Sequence, residues 1–144
     1  MSRSIIISLL VLTLLLGACS STAPSQPAEQ VAGKQVQVDG GGYYTDVSVP
    51  ELQAMLANKD FTFINVHIPF EGDIANTDLS IPYDQISQNL DKLPDKDAKI
   101  VLYCRSDRMS NIAASELVSL GYTDFWNLEG GMVAWEAAGL PIER

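Results

Sequence analysis

Residues 99–110 read K-I-V-L-Y-C-R-S-D-R-M-S, and most of the fold follows from them. Residues 99–104 form a nearly unbroken apolar run, as expected of a strand that is covered on both faces of a sheet. The polar residues that follow lead directly into apolar residues at helical spacing, namely Met109, Ile112, Ala113, Leu117 and Leu120. Gly121 then suits the end of a helix. These residues therefore predict a buried strand, a short loop and a helix in succession.

The rest of the chain alternates strands and helices on both sides of this unit. Strands are predicted at residues 43–47, 61–68 and 125–128. Residues 69–82 are predicted to be a loop, and helices are predicted after the capping box of Ser48 and Glu51, around Ile86, Leu90 and Leu93, and over residues 132–138. Such alternation predicts an α/β fold with a central parallel sheet and helices on both faces.

Length, charge and cysteine content exclude several classes of protein. The chain has 144 residues, 9 Lys and Arg, 18 Asp and Glu, and a formal net charge of −9. This length is sufficient for one ordinary domain. The acidic balance argues against nucleic-acid binding, which needs clustered Lys and Arg. With 2 cysteines and 1 histidine, the chain has too few of these residues for a multi-disulfide scaffold or a Cys/His zinc site.

The first 18 residues have the features of a signal peptide. Arg3 is followed by an apolar segment, residues 5–16, that is too short to cross a bilayer comfortably. The ending L-G-A-C, residues 16–19, resembles a bacterial lipobox. This resemblance implies that residues 1–18 are removed, that Cys19 carries lipid including palmitate, and that an extracytoplasmic lipoprotein is anchored to the membrane. The alternatives are a plain secretory signal and an uncleaved anchor.

Residues 19–42 differ in composition from the rest of the chain. They are rich in Ser, Pro, Gln and Gly, which is typical of a flexible tether. Val36 and Val38 alternate with Gln, and this pattern is compatible with a short edge strand. We therefore expect a tether over residues 19–42 and one folded domain over residues 43–144.

Cys104 is the candidate reactive residue. It ends the predicted buried strand, and open α/β sheets bind ligands beyond the carboxyl ends of their strands. The loop then enters a helix, whose first backbone N–H groups favour a thiolate or a bound anion. Arg105 and Arg108 are the only basic residues between Lys99 and Arg144, so the loop carries a local positive charge. The alternative is an inert buried thiol beside two solvated arginines.

Three runs of sequence resemble the rhodanese-like domain. They are Y-C-R-S-D-R-M-S-N-I-A-A-S-E-L from residue 103, L-G-Y from residue 120 and L-E-G-G-M-V-A-W-E-A-A-G-L-P from residue 128, and the resemblance covers residues 47–142. It implies a sulfurtransferase that carries sulfur as a persulfide on Cys104. The donor would be a small thiosulfate-like anion and the acceptor a thiol or cyanide, with no metal or organic cofactor. The substrate would be bound by the loop, residues Arg105, Ser106, Asp107, Arg108, Met109 and Ser110.

The chain departs from the family pattern at several positions. Asp107 replaces the usual loop glycine; aspartate tolerates a left-handed backbone, but its carboxylate would oppose a thiolate and an anionic donor. Asn65-Val66-His67 stands where many members have D-V-R, and Gly72-Asp73-Ile74 where they have G-H-I. His67 could contact the loop, although a histidine at a strand end is more often structural. Glu71 or Asp73 as a general base is a further option.

Three other functions are compared with the sulfurtransferase. A cysteine phosphatase needs an arginine six residues after its nucleophile, where this chain has Ser110. A dithiol oxidoreductase needs a second thiol, which a lipidated Cys19 does not supply. The main alternative is a non-enzymatic binding or redox-sensing module, which Asp107 favours and the intact Cys104 and Arg105 oppose. The sequence indicates no particular protein partner.

Overall fold

The computed structural model describes residues 31–144. The predicted signal peptide, the lipidation site Cys19 and tether residues 19–30 lie outside the described residues. Within residues 31–144, no helix combines the length and apolar character needed to cross a membrane. The strands are β1 (Lys34–Gln37), β2 (Tyr43–Val47), β3 (Thr62–Asn65), β4 (Leu79–Ser80), β5 (Ile100–Tyr103) and β6 (Phe125–Leu128). The helices are α1 (Val49–Ala57), two 3₁₀ helices (Tyr83–Gln88 and Leu90–Lys92), α2 (Arg108–Ser119) and α3 (Gly131–Ala137).

The strands form one sheet in the order β1-β2-β6-β5-β3-β4. All neighbouring pairs are parallel except β1 and β2, which are antiparallel. The predicted strand over residues 99–104 is β5, and it lies between β6 and β3, so that Leu102 faces Asn127 on one side and Ile64 on the other. All four residues of β5 are buried, which explains its continuous apolar sequence.

Helices cover both faces of the sheet, which confirms the predicted α/β class. On one face, Ala113 and Leu117 of α2 pack with Leu102 of β5, and the first 3₁₀ helix adds Ile86. On the opposite face, Leu52 of α1 and Trp135 of α3 pack with Val101. Because side chains alternate along a strand, β5 contributes to both cores.

Three elements differ from the sequence-based expectation. The segment expected to be a tether contains β1, which confirms the short edge strand suggested by the alternation at Val36. It pairs with β2, and Val36 packs on the core, so the ordered sheet begins before residue 43. β4 lies within the expected loop, because two residues are too few to show alternation. The helix expected around Ile86 is instead a pair of 3₁₀ helices interrupted at Asn89, where φ is −121°.

Candidate active site

The candidate site is the loop between β5 and α2. Cys104 directly follows β5, and α2 begins four residues later at Arg108. Cys104 is only 1% exposed and is a free thiol. Its position at the carboxyl end of a central strand agrees with the sequence-based expectation.

Asp107 makes the sharp turn that leads into α2. Its φ is 76° and its ψ −45°, and the Arg108 N–H donates to the Ser106 carbonyl at 3.0 Å. These values describe a γ-turn, which is a strained conformation for a residue with a side chain. The Asp107 carboxylate accepts a hydrogen bond from the Gly130 N–H at 2.6 Å. The side chain thus ties this turn to the residues before α3.

The carbonyl groups of the loop are held by α3. The Met132 N–H donates to the Cys104 carbonyl at 2.9 Å, and the Val133 N–H donates to the Arg105 carbonyl at 3.0 Å. By contrast, five N–H groups of the loop have no hydrogen-bond acceptor among residues 31–144. They belong to Arg105, Ser106, Asp107, Met109 and Ser110. Because the loop carbonyl groups are bonded to α3, these N–H groups are free to donate to an anion or a sulfur atom in the cavity.

Ser110 contacts the sulfur atom from the first turn of α2. Its Oγ lies 3.4 Å from Cys104 Sγ and 3.0 Å from the Asp107 carbonyl oxygen. Ser110 is completely buried. Its single hydroxyl proton can point to the carbonyl when Cys104 is a thiol and to the sulfur when Cys104 is a thiolate.

A cavity of about 250 Å³ opens beside Cys104. Five of the seven residues predicted for catalysis and substrate binding line it, together with one further residue: Cys104, Arg105, Ser106, Arg108, Met109 and His67. Asp107 and Ser110 do not line this cavity; the Asp107 carboxylate accepts a hydrogen bond from the Gly130 N–H, and the Ser110 hydroxyl contacts Cys104 Sγ. Their roles in substrate binding stay predictions.

The two arginines of the loop have different partners. Arg105 Nη1 donates to Glu71 Oε2 at 2.6 Å, and the same oxygen lies 3.0 Å from His67 Nε2. The Arg105 hydrogen bond lowers the pKa of the Glu71 carboxyl, and His67 adds to this effect. Arg108 makes no ion pair with any described residue. Arg108 is therefore the cation at the cavity that is available to a substrate anion.

The charge of Asp107 belongs to a group of acids beside β2 and β6. Burial raises the pKa of Asp46, and the charges of Glu129 and Asp107 add to the effect. Asp107 also contributes to the raised pKa of Tyr44, although burial and Asp46 contribute more. Because the Asp107 carboxylate is hydrogen-bonded to the Gly130 N–H and does not line the cavity, it would oppose an anion in the cavity less directly than the sequence suggests.

Asp73, the other candidate base, belongs to a polar network under the sheet edge. Its Oδ1 accepts hydrogen bonds from Asn65 Nδ2 at 2.9 Å and from the Tyr103 hydroxyl at 3.2 Å. Asp73 does not line the cavity beside Cys104. Tyr103 is buried, which raises the pKa of its hydroxyl above the usual range, so it stays a neutral donor. This network holds the ends of β3 and β5 together.

Two features of the site, the position of His67 and the docking of α3, were weakly indicated by the sequence or not indicated at all. The sequence allowed a contact between His67 and the loop but favoured a hydrogen-bonded structural role; the ring both contacts Glu71 and lines the cavity. The signal in the sequence was that His67 stands at the carboxyl end of a predicted strand of the parallel sheet; that strand, β3, pairs with β5, so His67 reaches the same edge of the sheet as Cys104. The docking of α3 on the loop carbonyls had no signal in the sequence pattern. Among residues 31–144, no three His, Cys, Asp or Glu side chains come together as a metal-ligand set.

Comparisons with known proteins agree with this geometry. A sulfurtransferase from Allochromatium vinosum is 34% identical over 93 residues, covering 62% of this chain and 85% of that protein. A tRNA uridine(34) hydroxylase from an Enterobacter species is 28% identical over 103 residues, covering 64% of this chain but only 30% of the hydroxylase. Because most of the hydroxylase lies outside the match, the similarity does not extend to the activity of that whole protein.

The fold is shared with solved structures as well. The crystal structure of a rhodanese-related protein from Thermoplasma volcanium superposes with a TM-score of 0.59 at 28% identity, covering 69% of this chain and 97% of that one. The sequence profile of the rhodanese-like domain matches residues 48–138, which include the Cys104 loop and α3. With the fold, the loop and the profile in agreement, this chain belongs to the rhodanese-like domain family.

Proposed function

We propose that this protein is a sulfurtransferase that moves sulfane sulfur from a small thiosulfate-like anion to a thiol or cyanide. The observation that carries this proposal is the environment of Cys104. A single buried thiol lies at a cavity beside the unpaired Arg108, on a loop whose five free N–H groups can hold an anionic sulfur. The named sulfurtransferase among the relatives supports the same chemistry.

In the first step, the Cys104 thiolate attacks the outer sulfur of the donor. A bond forms between the Cys104 Sγ and that sulfur, and the donor's S–S bond breaks, so that its electron pair leaves on sulfite when the donor is thiosulfate. Arg108 binds the negative charge of the donor, and the N–H groups of residues 105–110 stabilise the new persulfide. Arg105 takes part less directly because it is paired with Glu71.

In the second step, the acceptor attacks the outer sulfur of the persulfide. The bond between the two sulfur atoms of Cys104 breaks, and the electron pair returns to Cys104 Sγ. Ser110 Oγ, 3.4 Å from Sγ, stabilises the returning thiolate. The cycle is a two-step transfer that needs no external oxidant or reductant.

Mass spectrometry of the intact protein after exposure to thiosulfate tests this proposal. We expect an adduct of about 32 Da, one sulfur atom, that cyanide removes and that Cys104→Ser does not form. Met109 also lines the cavity, so a mass gain that persists in Cys104→Ser would reveal oxidation rather than transfer. Absence of the adduct with thiosulfate and with organic persulfide donors would favour the binding or redox-sensing module instead.

We further propose that lipid on Cys19 anchors the domain to the extracytoplasmic face of a bacterial membrane. Support comes from the sequence alone: the apolar segment and the L-G-A-C ending at residues 16–19. Cys19→Ala should move the protein from the membrane fraction to the soluble fraction, whereas Cys104→Ser should stay with the membranes. Retention of Cys19→Ala on membranes would contradict the lipoprotein assignment.

A further inference from the structure

The His67 ring has an unusual environment beside the transferred sulfur. Its side chain is only 7% exposed, and it lines the same cavity as Cys104. Nε2 lies 3.0 Å from Glu71 Oε2, but the second ring nitrogen, Nδ1, is buried and has no hydrogen-bond partner among residues 31–144. A buried polar atom without a partner is costly, and a role in catalysis is one reason for a protein to keep such an atom in a residue that lines its active-site cavity.

The neighbours of His67 determine which nitrogen carries the proton. The Arg105 hydrogen bond lowers the pKa of Glu71, so Glu71 is a carboxylate that can only accept. Nε2 must then donate to it, and in the neutral ring Nδ1 carries a free lone pair. The Glu71 carboxylate thus fixes the tautomer and the orientation of the ring. Arg105, Glu71 and His67 thus form a chain that ends at the cavity.

We propose that His67 is a general base for the second step. Its Nδ1 atom takes the proton from the thiol of a separate acceptor molecule. This inference rests on the proposed sulfurtransferase function and names a catalytic residue and an acceptor class for its second step. The acceptor is a thiol that is mostly protonated at the working pH, because an acceptor that is already ionised has no proton for Nδ1 to take. Arg105, which is paired with Glu71, and Arg108 line the same cavity and are the other charged side chains there.

The step balances as follows. Solvent first protonates the outer sulfur of the Cys104 persulfide, which loading leaves as an anion. The acceptor thiol then gives its proton to His67 Nδ1, and its sulfur attacks this outer sulfur. A new S–S bond forms on the acceptor, the S–S bond at Cys104 breaks, and Cys104 keeps the electron pair as a thiolate. The imidazolium then releases its proton to solvent, which leaves the Cys104 thiolate that attacks the next donor. No outside reductant is consumed.

Single-turnover transfer from persulfide-loaded protein tests this role. The loaded wild-type protein and the loaded His67→Gln variant are mixed separately with an alkyl thiol, which is mostly protonated at neutral pH, and with a nitro-substituted thiophenol, which is already ionised. We expect His67→Gln to slow transfer to the alkyl thiol by about 100-fold, the contribution of a positioned general base. Transfer to the ionised thiol and loading by thiosulfate should stay within about threefold of wild type, since neither step requires a base.

Two further variants distinguish a catalytic role of His67 from a structural one. Glu71→Gln keeps an acceptor for Nε2 but removes the charge behind the ring, so it should slow only the alkyl thiol, and by less than His67→Gln. Asp60→Asn, which loses an exposed ion pair with Lys99 at the other end of the strands from Cys104, should change neither rate. Equal slowing with both thiols would show a structural role for His67, and unchanged rates would show no role; either result overturns the proposal. If the wild-type protein takes up no sulfur at all, the sulfurtransferase function itself fails, and that failure is visible at the loading step.

Discussion

At the scale of single residues, Asp107 shows how a departure from the family pattern is accommodated. Its φ of 76° is a conformation that glycine adopts freely and most residues avoid. Aspartate is tolerated here, and its carboxylate accepts a 2.6 Å hydrogen bond from the Gly130 N–H. The partner lies 23 residues further along the chain, so no local sequence pattern could have revealed the bond. Asp107, which departs from the family pattern, therefore connects the cysteine loop to the turn before α3.

Replacement of Asp107 separates the link from the charge. Asp107→Ala loses the hydrogen bond and keeps the strained φ, so we expect the free energy of unfolding to fall by about 2 kcal/mol. Asp107→Asn keeps an oxygen for the Gly130 N–H and tolerates positive φ, so the loss should stay below about 1 kcal/mol. Urea unfolding of both variants beside the wild type measures these differences.

The same pair of variants also tests the electrostatic effect of Asp107 on the sulfur. Since the carboxylate is bonded to Gly130 and does not line the cavity, Asp107→Asn should change thiosulfate turnover by less than about threefold, under 1 kcal/mol. A rise of about tenfold in Asp107→Asn would mean that the carboxylate does repel the donor, as its position in the sequence suggests.

At the scale of elements, α3 supports the loop that carries Cys104. Two of its first N–H groups donate to the Cys104 and Arg105 carbonyls, at 2.9 Å and 3.0 Å. This approach is possible only because Gly131 has no side chain: a Cβ there would lie 2.3 Å from the Cys104 carbonyl oxygen. The helix therefore fixes the direction of the loop peptides and, with it, the availability of the loop N–H groups.

Two glycines at the two ends of α3 make a matched test of this contact. Both have positive φ, 54° at Gly131 and 79° at Gly139, but a Cβ at Gly139 would meet nothing within 4 Å. Gly139→Ala should therefore cost only the conformational penalty, about 1 kcal/mol, and keep full sulfur loading. Gly131→Ala should cost about 3 kcal/mol and abolish loading, because it also pushes the loop away from α3.

Thermal or urea unfolding gives the stability of the two glycine variants, and mass spectrometry gives their sulfur loading. Loading of a folded Gly131→Ala protein at the wild-type rate would show that α3 does not position the cysteine loop. Loss of loading in Gly139→Ala would show that any strain in α3 is sufficient, and that the contact at Gly131 is not special.

Elements with strong local signals were predictable, and those defined by long-range contacts were not. β5 and α2 were correct from the buried apolar run and the helical spacing, including Gly121, where the Tyr122 N–H closes the helix onto the Leu117 carbonyl at 3.1 Å. β1 carried only a weak alternation, because its stability comes from pairing with β2. The docking of α3 and the position of His67 on the cavity depend on how separate elements meet.

At the scale of the whole molecule, the pH dependence of stability depends on where the acids of this negatively charged chain are placed. Hydrogen bonds from Ser48, from Lys99 and from Arg105, respectively, lower the pKa values of Glu51, Asp60 and Glu71. Burial raises the pKa of Asp46, which has the opposite effect on stability. A carboxyl with a lowered folded pKa stabilises the fold at pH values above its unfolded pKa, and this stabilisation is lost as the pH falls through the folded pKa.

Glu51 gives the sharpest test of this relation, because it also joins β1 to the rest of the molecule. Its Oε1 accepts the Gly33 N–H at 3.1 Å and its Oε2 the Ser48 N–H at 2.8 Å. From an unfolded value near 4.5, its lowered pKa predicts that the free energy of unfolding declines as the pH falls below about 4.5. In Glu51→Gln, stability should be lower near neutral pH, and this decline should be shallower, since one of the responsible groups no longer titrates. Urea unfolding at several pH values between about 6 and 3.5 measures both slopes. Curves for the two proteins that stay parallel over this range would mean that Glu51 binds protons equally in the folded and unfolded states, which would contradict the stabilising role of its hydrogen bonds.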